Sequence, residues 1–559
     1  MKRIVFLIIS TLLVLGLVLP GCGGGGGTTV NYLTIGVAGP MGNVQGVHML
    51  QGAQMAASEI NAAGGINVSG TIYQIQIASR DTDEINNPSN ARSATQYLIT
   101  NKNASFIIGG FRTEAVSDVI QNVILVNATQ VPYFITGAAT YSLLAAAPYY
   151  PYNGNYTGYK YIFRCTPFND IFLVNNIFLM FSMAAKKIQT DLGMTWNGSA
   201  WSDKVRVAIL AESLTWATAM IASAKKIIGG YGPLFGWELA GNVSGHADGT
   251  WLVSDKESEV NLTTYLNQIK DAHAHIIFTI LSGPVGVTYG KLHGQLDVPA
   301  VSVGINVEGQ DPGYWVKTQY STTPAAYGAQ YEIGMGTWAP GVAVTNETLP
   351  FLARYYAAWG NFPIYTAASY DMVYSIAMAC VAKGSLNKND VSAWLEDLNN
   401  ARVTSTGKIG YYPVWDASTM GWYWTATSSS YLPALNDTEL APYYNASWRA
   451  PIGTYNFTMP PFTTHDLVYG PRTNNSDPLT GWTVGIAVQW QNVSGVGTQV
   501  GVWPKTGFDV PVGPYASLLQ TTLSRTCSGL NWSNTLEFPG TSLFTIPAAW
   551  ETLWADPTF

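Results

Sequence analysis

"YLTIGVAGPMGNVQGVHMLQGAQMAASEINAAGG", residues 32–65, decides how the rest of the chain is read. Residues 32–39 are an uncharged, mostly apolar run of strand length and read as a buried strand. Residues 48–65 change period. Met49, Ala53, Ala56, Ala57 and Ile60 fall on one helical stripe, and Gly64-Gly65 stops the helix. The alternation then continues: "YQIQIAS" (73–79) reads as a strand, "NPSNARSATQYLI" (87–99) as a turn entering a helix, and "SFIIGGF" (105–111) as a strand. "EAVSDVIQNVIL" (114–125) follows as a helix and "VPYFITGA" (131–138) as a strand. Strand and helix in turn, with short connections, imply a parallel sheet covered on both faces.

A second set of the same kind begins at "YKYIFRCTP" (159–167) and a long helix near 169–189. It runs through "VRVAILAES" (205–213), "NLTTYLNQIKDA" (261–272), "HIIFTILSG" (275–283), "VGVTYGKLHGQL" (285–296) and "PAVSVGIN" (299–306). Two such sets predict an α/β fold of two doubly wound parallel-sheet lobes. Helices are expected again at 351–360, 367–382 and 390–400. Beyond about residue 413 the rhythm fails: 422–448 is rich in Tyr, Trp, Ser and Pro without a period. "GWTVGIAVQWQ" (481–491) and "TQVGVWP" (498–504) read as a paired ribbon, and the last 55 residues fit no template.

The N-terminus has Lys2-Arg3 and then Ile4 to Leu19 without a charge. A membrane span needs roughly 20 apolar residues, so the run matches a secretory signal better. Cys22 after Leu19-Pro20-Gly21 resembles a lipoprotein site, and Gly23–Gly27 make a flexible lead. A plain signal or an uncleaved anchor is the other reading. The 559-residue chain carries a net charge of -7 and only 11% charged residues, against the usual ~25%, with no Lys or Arg run. Nucleic acid and an anionic membrane surface are therefore not favoured partners. Fourteen N-x-S/T sequons, with this low charge, resemble the make-up of an archaeal cell-surface protein. Cys165, Cys380 and Cys527 show no metal-ligand spacing; Cys380 reads as a core residue, and a Cys165–Cys527 bridge stays open. No G-x-S-x-G, HExxH or P-loop occurs, so no catalytic, metal or cofactor site is expected. Asp81 and Asp83 read as the brace of a strand end or, less simply, as an acid/base pair.

"LTIGVAGPMG", "QGAQMAASEINAAGGI", "IASRDTDEINNPSNARSATQYLI", "FIIGG", "VPYFITGAAT" and "ASYDMVYSIAMA" stand in an order that resembles type 1 periplasmic solute-binding proteins. The branch is the leucine/isoleucine/valine-binding one that serves ABC importers. The likeness spans roughly 32–412 and the ribbon at 481–504. It implies flavodoxin-like lobes joined by three crossovers: lobe 1 from 32–166 and 328–412, lobe 2 from 167–327 and 413–504. The signal takes 1–22, the tether 23–31, an insertion 422–480 and a loop-rich C-terminal extension 505–559.

The resemblance also implies a cleft. Arg112-Thr113 stand where the family has a Ser-Ser pair that grips the ligand carboxylate; Arg112 adds a charged fork, or else pairs at the surface with Glu114 or Asp118. In the loop Gly137-Ala138-Ala139-Thr140, the Ala138 carbonyl would accept from a ligand ammonium and Thr140 would reach the same head group, or merely cap a helix. Trp216 would lid the ligand side chain, or pack in the lobe. The acidic partner of the ammonium falls at Asn306 by direct register, with Glu308 two residues on. Gln45 and His48 sit near the entrance, the histidine reading as a solvated helix residue. The implied function is a lipid-tethered receptor outside the cytoplasmic membrane, delivering an apolar or branched amino acid, an amide or a short peptide to an ABC permease. A structural or adhesive surface glycoprotein and a glycan or peptide hydrolase are the alternatives.

Overall fold

The computed structural model describes residues 30–144, 159–166, 168–241, 243–339, 348–395, 412–416, 421–425 and 486–503. The expectations for the signal, Cys22, the tether, most of the insertion and the C-terminal extension lie outside them.

The opening stretch folds as β1 (Asn31–Gly39) and α1 (Val44–Ala62). Its small residues have a packing cause. A Cβ on Gly52 would sit 2.5 Å from the Ala367 carbonyl oxygen and 2.6 Å from Ser369 Oγ, so only glycine lets α1 lie against that backbone. The Ser369 hydroxyl donates to the Met49 carbonyl at 2.6 Å in the same contact. Asn61 imitates a strand edge for the next element: its amide donates to the Ile75 carbonyl (2.8 Å) and accepts the Ile75 N–H (2.7 Å). Gly64 and Gly65 then turn the chain at φ 104° and 84°, a region open to glycine at little cost.

The first lobe continues with β2 (Ile66–Val68), β3 (Thr71–Asp81), α2 (Asn90–Lys102), β4 (Phe106–Gly109), α3 (Thr113–Val119), β5 (Tyr133–Ile135) and β6 (Ile162–Arg164). The sheet order is β2-β3-β1-β4-β5-β6. With the antiparallel edge strand β2 set aside, this is the flavodoxin-like order, which places a switch point between β1 and β4. The expected helix 114–125 is α only to Val119; Ile120–Ile124 form a π turn.

The second lobe is built from α4 (Asp170–Asp191), β7 (Val205–Glu212), α5 (Thr215–Lys225), β8 (Trp237–Leu239), β9 (Thr250–Val253), α6 (Glu259–Asp271), β10 (Ile276–Leu281), α7 (Val285–Gln295) and β11 (Val301–Asn306). A hairpin of β12 (Gln319–Thr322) and β13 (Ala325–Tyr327) precedes β14 (Ile333–Gly336). Strands β7, β10, β11 and β14 are parallel neighbours, and both β8 and β9 pair with β7, so the lobe repeats the order of the first. Sequence periodicity finds neither β8, β9 nor β14. Each is three or four residues long, and β14 reads Ile-Gly-Met-Gly. Strand β14 also corrects a boundary: residues from 328 were expected in lobe 1, yet Ile333–Gly336 pair with β11 in the second sheet.

Helices α8 (Thr348–Trp359) and α9 (Ser369–Lys383) return to the first lobe, where Phe351, Tyr355, Tyr370 and Ile376 share a core with Ile35, Val37 and Phe106. The ribbon β17 (Ile486–Val493) and β18 (Val496–Trp503) then extends the second sheet antiparallel to β14. The chain thus passes between the lobes three times. Tyr412–Asp416 and Gly421–Thr425 form a separate hairpin, β15–β16, so a strand begins where a loop-rich insertion was expected at 422. Cys165 and Cys380 are buried in the first lobe's core, while Cys527 lies outside the described residues. Among the described residues no helix is long and apolar enough to cross a membrane.

Candidate functional site

The carboxyl ends of β4 and β5 form one wall of a cleft. After β4 the chain turns through Gly109 and Gly110 at φ 145° and 83°. A Cβ on Gly110 would meet the Tyr133 hydroxyl at 2.2 Å. The buried Glu84 carboxylate accepts the Phe111 N–H at 2.9 Å and fixes the loop. Burial pushes the Glu84 carboxyl up to about 8, against the pull of that bond and of Arg112. Arg112 is next in the chain and is 4% exposed. It pairs with neither Glu114 nor Asp118 at the surface: Asp118 takes Arg92 (2.6 Å), and the Glu114 carboxylate accepts the Thr215 hydroxyl of the other lobe. The Arg112 Nη2 instead reaches Asp255 across the cleft at 2.5 Å, and its Nη1 is buried without a hydrogen-bond partner among the described residues.

The loop after β5 backs this wall. The hydroxyls of Thr113 and Thr140 bond to one another at 2.6 Å, and the buried Arg164 guanidinium donates to the Thr140 carbonyl at 2.6 Å. The Ala138 carbonyl accepts the Thr166 hydroxyl at 3.2 Å, and the Gly137 carbonyl accepts the Tyr365 hydroxyl at 3.0 Å. Asp81 braces a strand end, accepting the N–H of Met41 (2.9 Å) and of Asp83 (3.0 Å).

The second lobe supplies the facing wall around Glu212 at the end of β7. Its buried carboxylate accepts the Ser282 N–H (2.8 Å), the Ser282 hydroxyl (2.6 Å), the Gly283 N–H (2.6 Å) and Trp216 Nε1 (3.2 Å). Burial raises its pKa, and the Arg112 charge and these donors lower it. Sequence reading singled out Trp216 but not Glu212; a carboxylate closing an otherwise apolar strand was the available signal.

Between the walls lies a narrow cavity of about 390 Å³, its open mouth included. Phe111, Arg112, Thr113, Ala139 and Tyr365 line it from the first lobe, and Phe168 from the crossover. Trp216, Ser282, Ile305 and Val307 line it from the second. Of the residues singled out from sequence, Arg112, Thr113, Ala139 and Trp216 therefore come together at this cavity. Thr140 and Ala138 stand behind them.

Asn306 does not face the cavity. Its Nδ2 lies 3.0 Å from both the Tyr314 hydroxyl and Glu332 Oε1, inside the lobe. The side chain missing at Gly286, where a Cβ would meet Asn306 Oδ1 at 2.1 Å, leaves it that space. Glu308 turns instead to the lobe junction, where it accepts Gln45 Nε2 at 3.2 Å; the same amide donates to the Ser282 carbonyl at 3.1 Å. Burial pushes the Glu308 carboxyl up to about 7. His48 is buried rather than solvated: Nδ1 lies 2.7 Å from the Tyr355 hydroxyl, and burial lowers its pKa to about 4. Among the described residues no group of His, Cys, Asp and Glu is placed to hold a metal ion.

Two doubly wound lobes with a cleft at their switch points match the periplasmic binding protein fold. The family model described as periplasmic binding protein matches residues 33–171, which carry the first lobe's sheet. A solute-binding protein of Rhodopseudomonas palustris HaA2 in complex with p-hydroxybenzoic acid is similar at 15% identity, with 84% of this chain and 95% of that one covered and a TM-score of 0.54. One from R. palustris BisB5 with 3,4-dihydroxybenzoic acid shares 15% identity over 84% and 96%, at 0.53. A putative branched-chain amino acid ABC transporter protein from Silicibacter pomeroyi shares 17% over 86% and 98%, at 0.53. No curated protein sequence matches the chain.

Proposed function

We propose that this chain is the exported substrate-binding receptor of an ABC importer, held at the outer membrane face by lipid on Cys22. It captures a small solute with a carboxylate head and an apolar body by closing two lobes on it. The observation that carries the reading is Arg112: a nine-tenths buried guanidinium in the cleft, with Nη1 unpartnered, among apolar walls from both lobes. A buried donor without an acceptor costs about 1–3 kcal/mol, so a solute oxygen there recovers that loss only when bound. Closure follows from differential contact: the first lobe offers the polar group and the second covers the apolar body. No covalent chemistry is required, and the hydrolase and adhesin alternatives gain no support from the cleft.

An apolar or branched-chain amino acid is the first candidate ligand. Aromatic carboxylates are the second, favoured by the rings of Phe111, Phe168, Trp216 and Tyr365 at the cavity and by the absence of a carboxylate among its lining side chains to take an ammonium. The hydroxybenzoates bound by the two R. palustris proteins are of this class. Thermal-shift screening of the protein with amino acids, amides, short peptides and benzoates tests the reading. A ligand at 100 times its Kd stabilises by about 2.7 kcal/mol. A flat screen, with measurable hydrolysis of a peptide or glycan, contradicts it. Mass analysis of the native protein for acyl chains on Cys22 tests the tether, where two or more chains are expected for stable anchoring.

A further inference from the structure

The turn after β9 meets Arg112 from the opposite lobe and belongs to no part of the site expected from sequence. It is firmly held. The Asp255 carbonyl accepts the Val285 N–H at 2.9 Å, Glu257 accepts the Ser254 N–H at 2.9 Å, and the Ser258 hydroxyl caps α6 at the Asn261 N–H. Gly283 makes the room: a Cβ there would lie 2.9 Å from Asp255 Cβ. The carboxylate presented by this turn takes Arg112 Nη2 in a pair whose side chains are only 5% and 18% exposed. Arg112 also acts on the buried carboxyls of Glu84 and Glu212. Among the described residues Arg112 is the only charged one that lines the cavity.

We propose that Asp255 is a specificity-determining residue: by claiming one amino group of Arg112 from across the cleft, it leaves Nη1 for a solute and restricts the site to solutes with a single carboxylate. A guanidinium free on both sides grips a carboxylate with two parallel bonds and tolerates further negative charge nearby. With Asp255 in place, one solute oxygen finds a donor. A second anionic group on the solute would find no further cation among the described residues that line the cavity. The same pair ties the lobes together, so the donor left for the solute is set in its final orientation only as the lobes meet. This inference rests on the receptor reading above.

The test is calorimetric titration of the full chain, as wild type, Asp255→Asn and Asp255→Glu. Leucine and 4-hydroxybenzoate carry one carboxylate; glutamate and phthalate carry two. Wild type is expected to bind a single-carboxylate solute and neither dicarboxylate. Asp255→Asn should bind that solute more tightly, because both sides of the guanidinium are then free for its carboxylate, and should gain binding of a dicarboxylate. Asp255→Glu should restore the wild-type preference, which a merely structural role for the side chain would not require. Unfolding midpoints of all three proteins establish that each is folded; should Asp255→Asn not fold, Asp255→Ser takes its place. An Asp255→Asn protein with wild-type affinity and preference overturns this inference alone. A wild-type protein that binds neither set overturns the receptor reading and this inference with it.

Discussion

The two walls of the cleft differ in how their polar groups are spent. In the second lobe Glu212 gathers four donors from Ser282, Gly283 and Trp216, so this carboxylate is satisfied within its own lobe, and Ile305, Val307 and Trp216 line the cavity. In the first lobe Arg112 remains half satisfied. Buried polar groups are nearly always paired, and the exceptions call for an explanation. The lesson is a division of labour: the first lobe recognises a head group, and the second lobe supplies a preformed apolar cover. The first lobe should therefore govern affinity and the second should govern stability.

The largest way to break that contrast is Arg112→Met, which keeps bulk and removes the donors. It should abolish the thermal shift given by any carboxylate solute, a loss of about 2–5 kcal/mol in binding, because Asp255 is also left without its partner. Retained shift would place recognition elsewhere. Glu212→Gln comes next. An amide cannot accept all four donors, so the unfolding midpoint should fall by the equivalent of about 1–3 kcal/mol, with a smaller change in affinity than Arg112→Met produces. An affinity loss without a stability loss would reverse the roles given to the two lobes.

The pH dependence sharpens the account without a mutation. Glu84 is raised to about 8, and Glu308 and Glu332 to about 7, by burial. Each holds its proton in the folded chain over a range in which the unfolded chain, near 4.5, has released it, so stability falls as pH rises through that range. His48 and His293, lowered to about 4 by burial, act in the opposite sense below 6.5. Above pH 6.5 only the carboxyl effect remains. The unfolding midpoint should drop between pH 6.5 and 8, and Glu84→Gln should flatten that drop. A midpoint rising over this interval contradicts the burial of these acids. The smallest effect is Thr140→Val, which leaves the Thr113 hydroxyl without its mate and costs about 0.5–1.5 kcal/mol. If solute affinity is untouched by it, Thr140 supports the loop and nothing more.

The fold was legible because its determinants are local. Asn61 and Gly64-Gly65 each act within a few residues or on a nearby strand, and the stripe of α1 shows in its own period. Strands β4 and β5, though only four and three residues long, were found because they stand in longer apolar runs, whereas β9 and β14 have no such run around them. The site divides the same way. Arg112, Thr113, Ala139 and Trp216 follow strand ends, where the topology places ligands. Asp255 meets Arg112 over 143 residues of chain and follows an unrecognised strand, so no local pattern announces it. Asn306 and Glu308 could not be ranked because both stand near one strand end, and a glycine at 286 in another helix decides which turns inward.

A crystal structure of the protein with the carboxylate solute that gives the largest thermal shift tests the central claim most directly. The account predicts the solute in the cleft with a carboxylate oxygen about 2.7–2.9 Å from Arg112 Nη1, its body against Trp216 and Val307. A solute bound away from Arg112, with Nη1 still unpartnered, would contradict it.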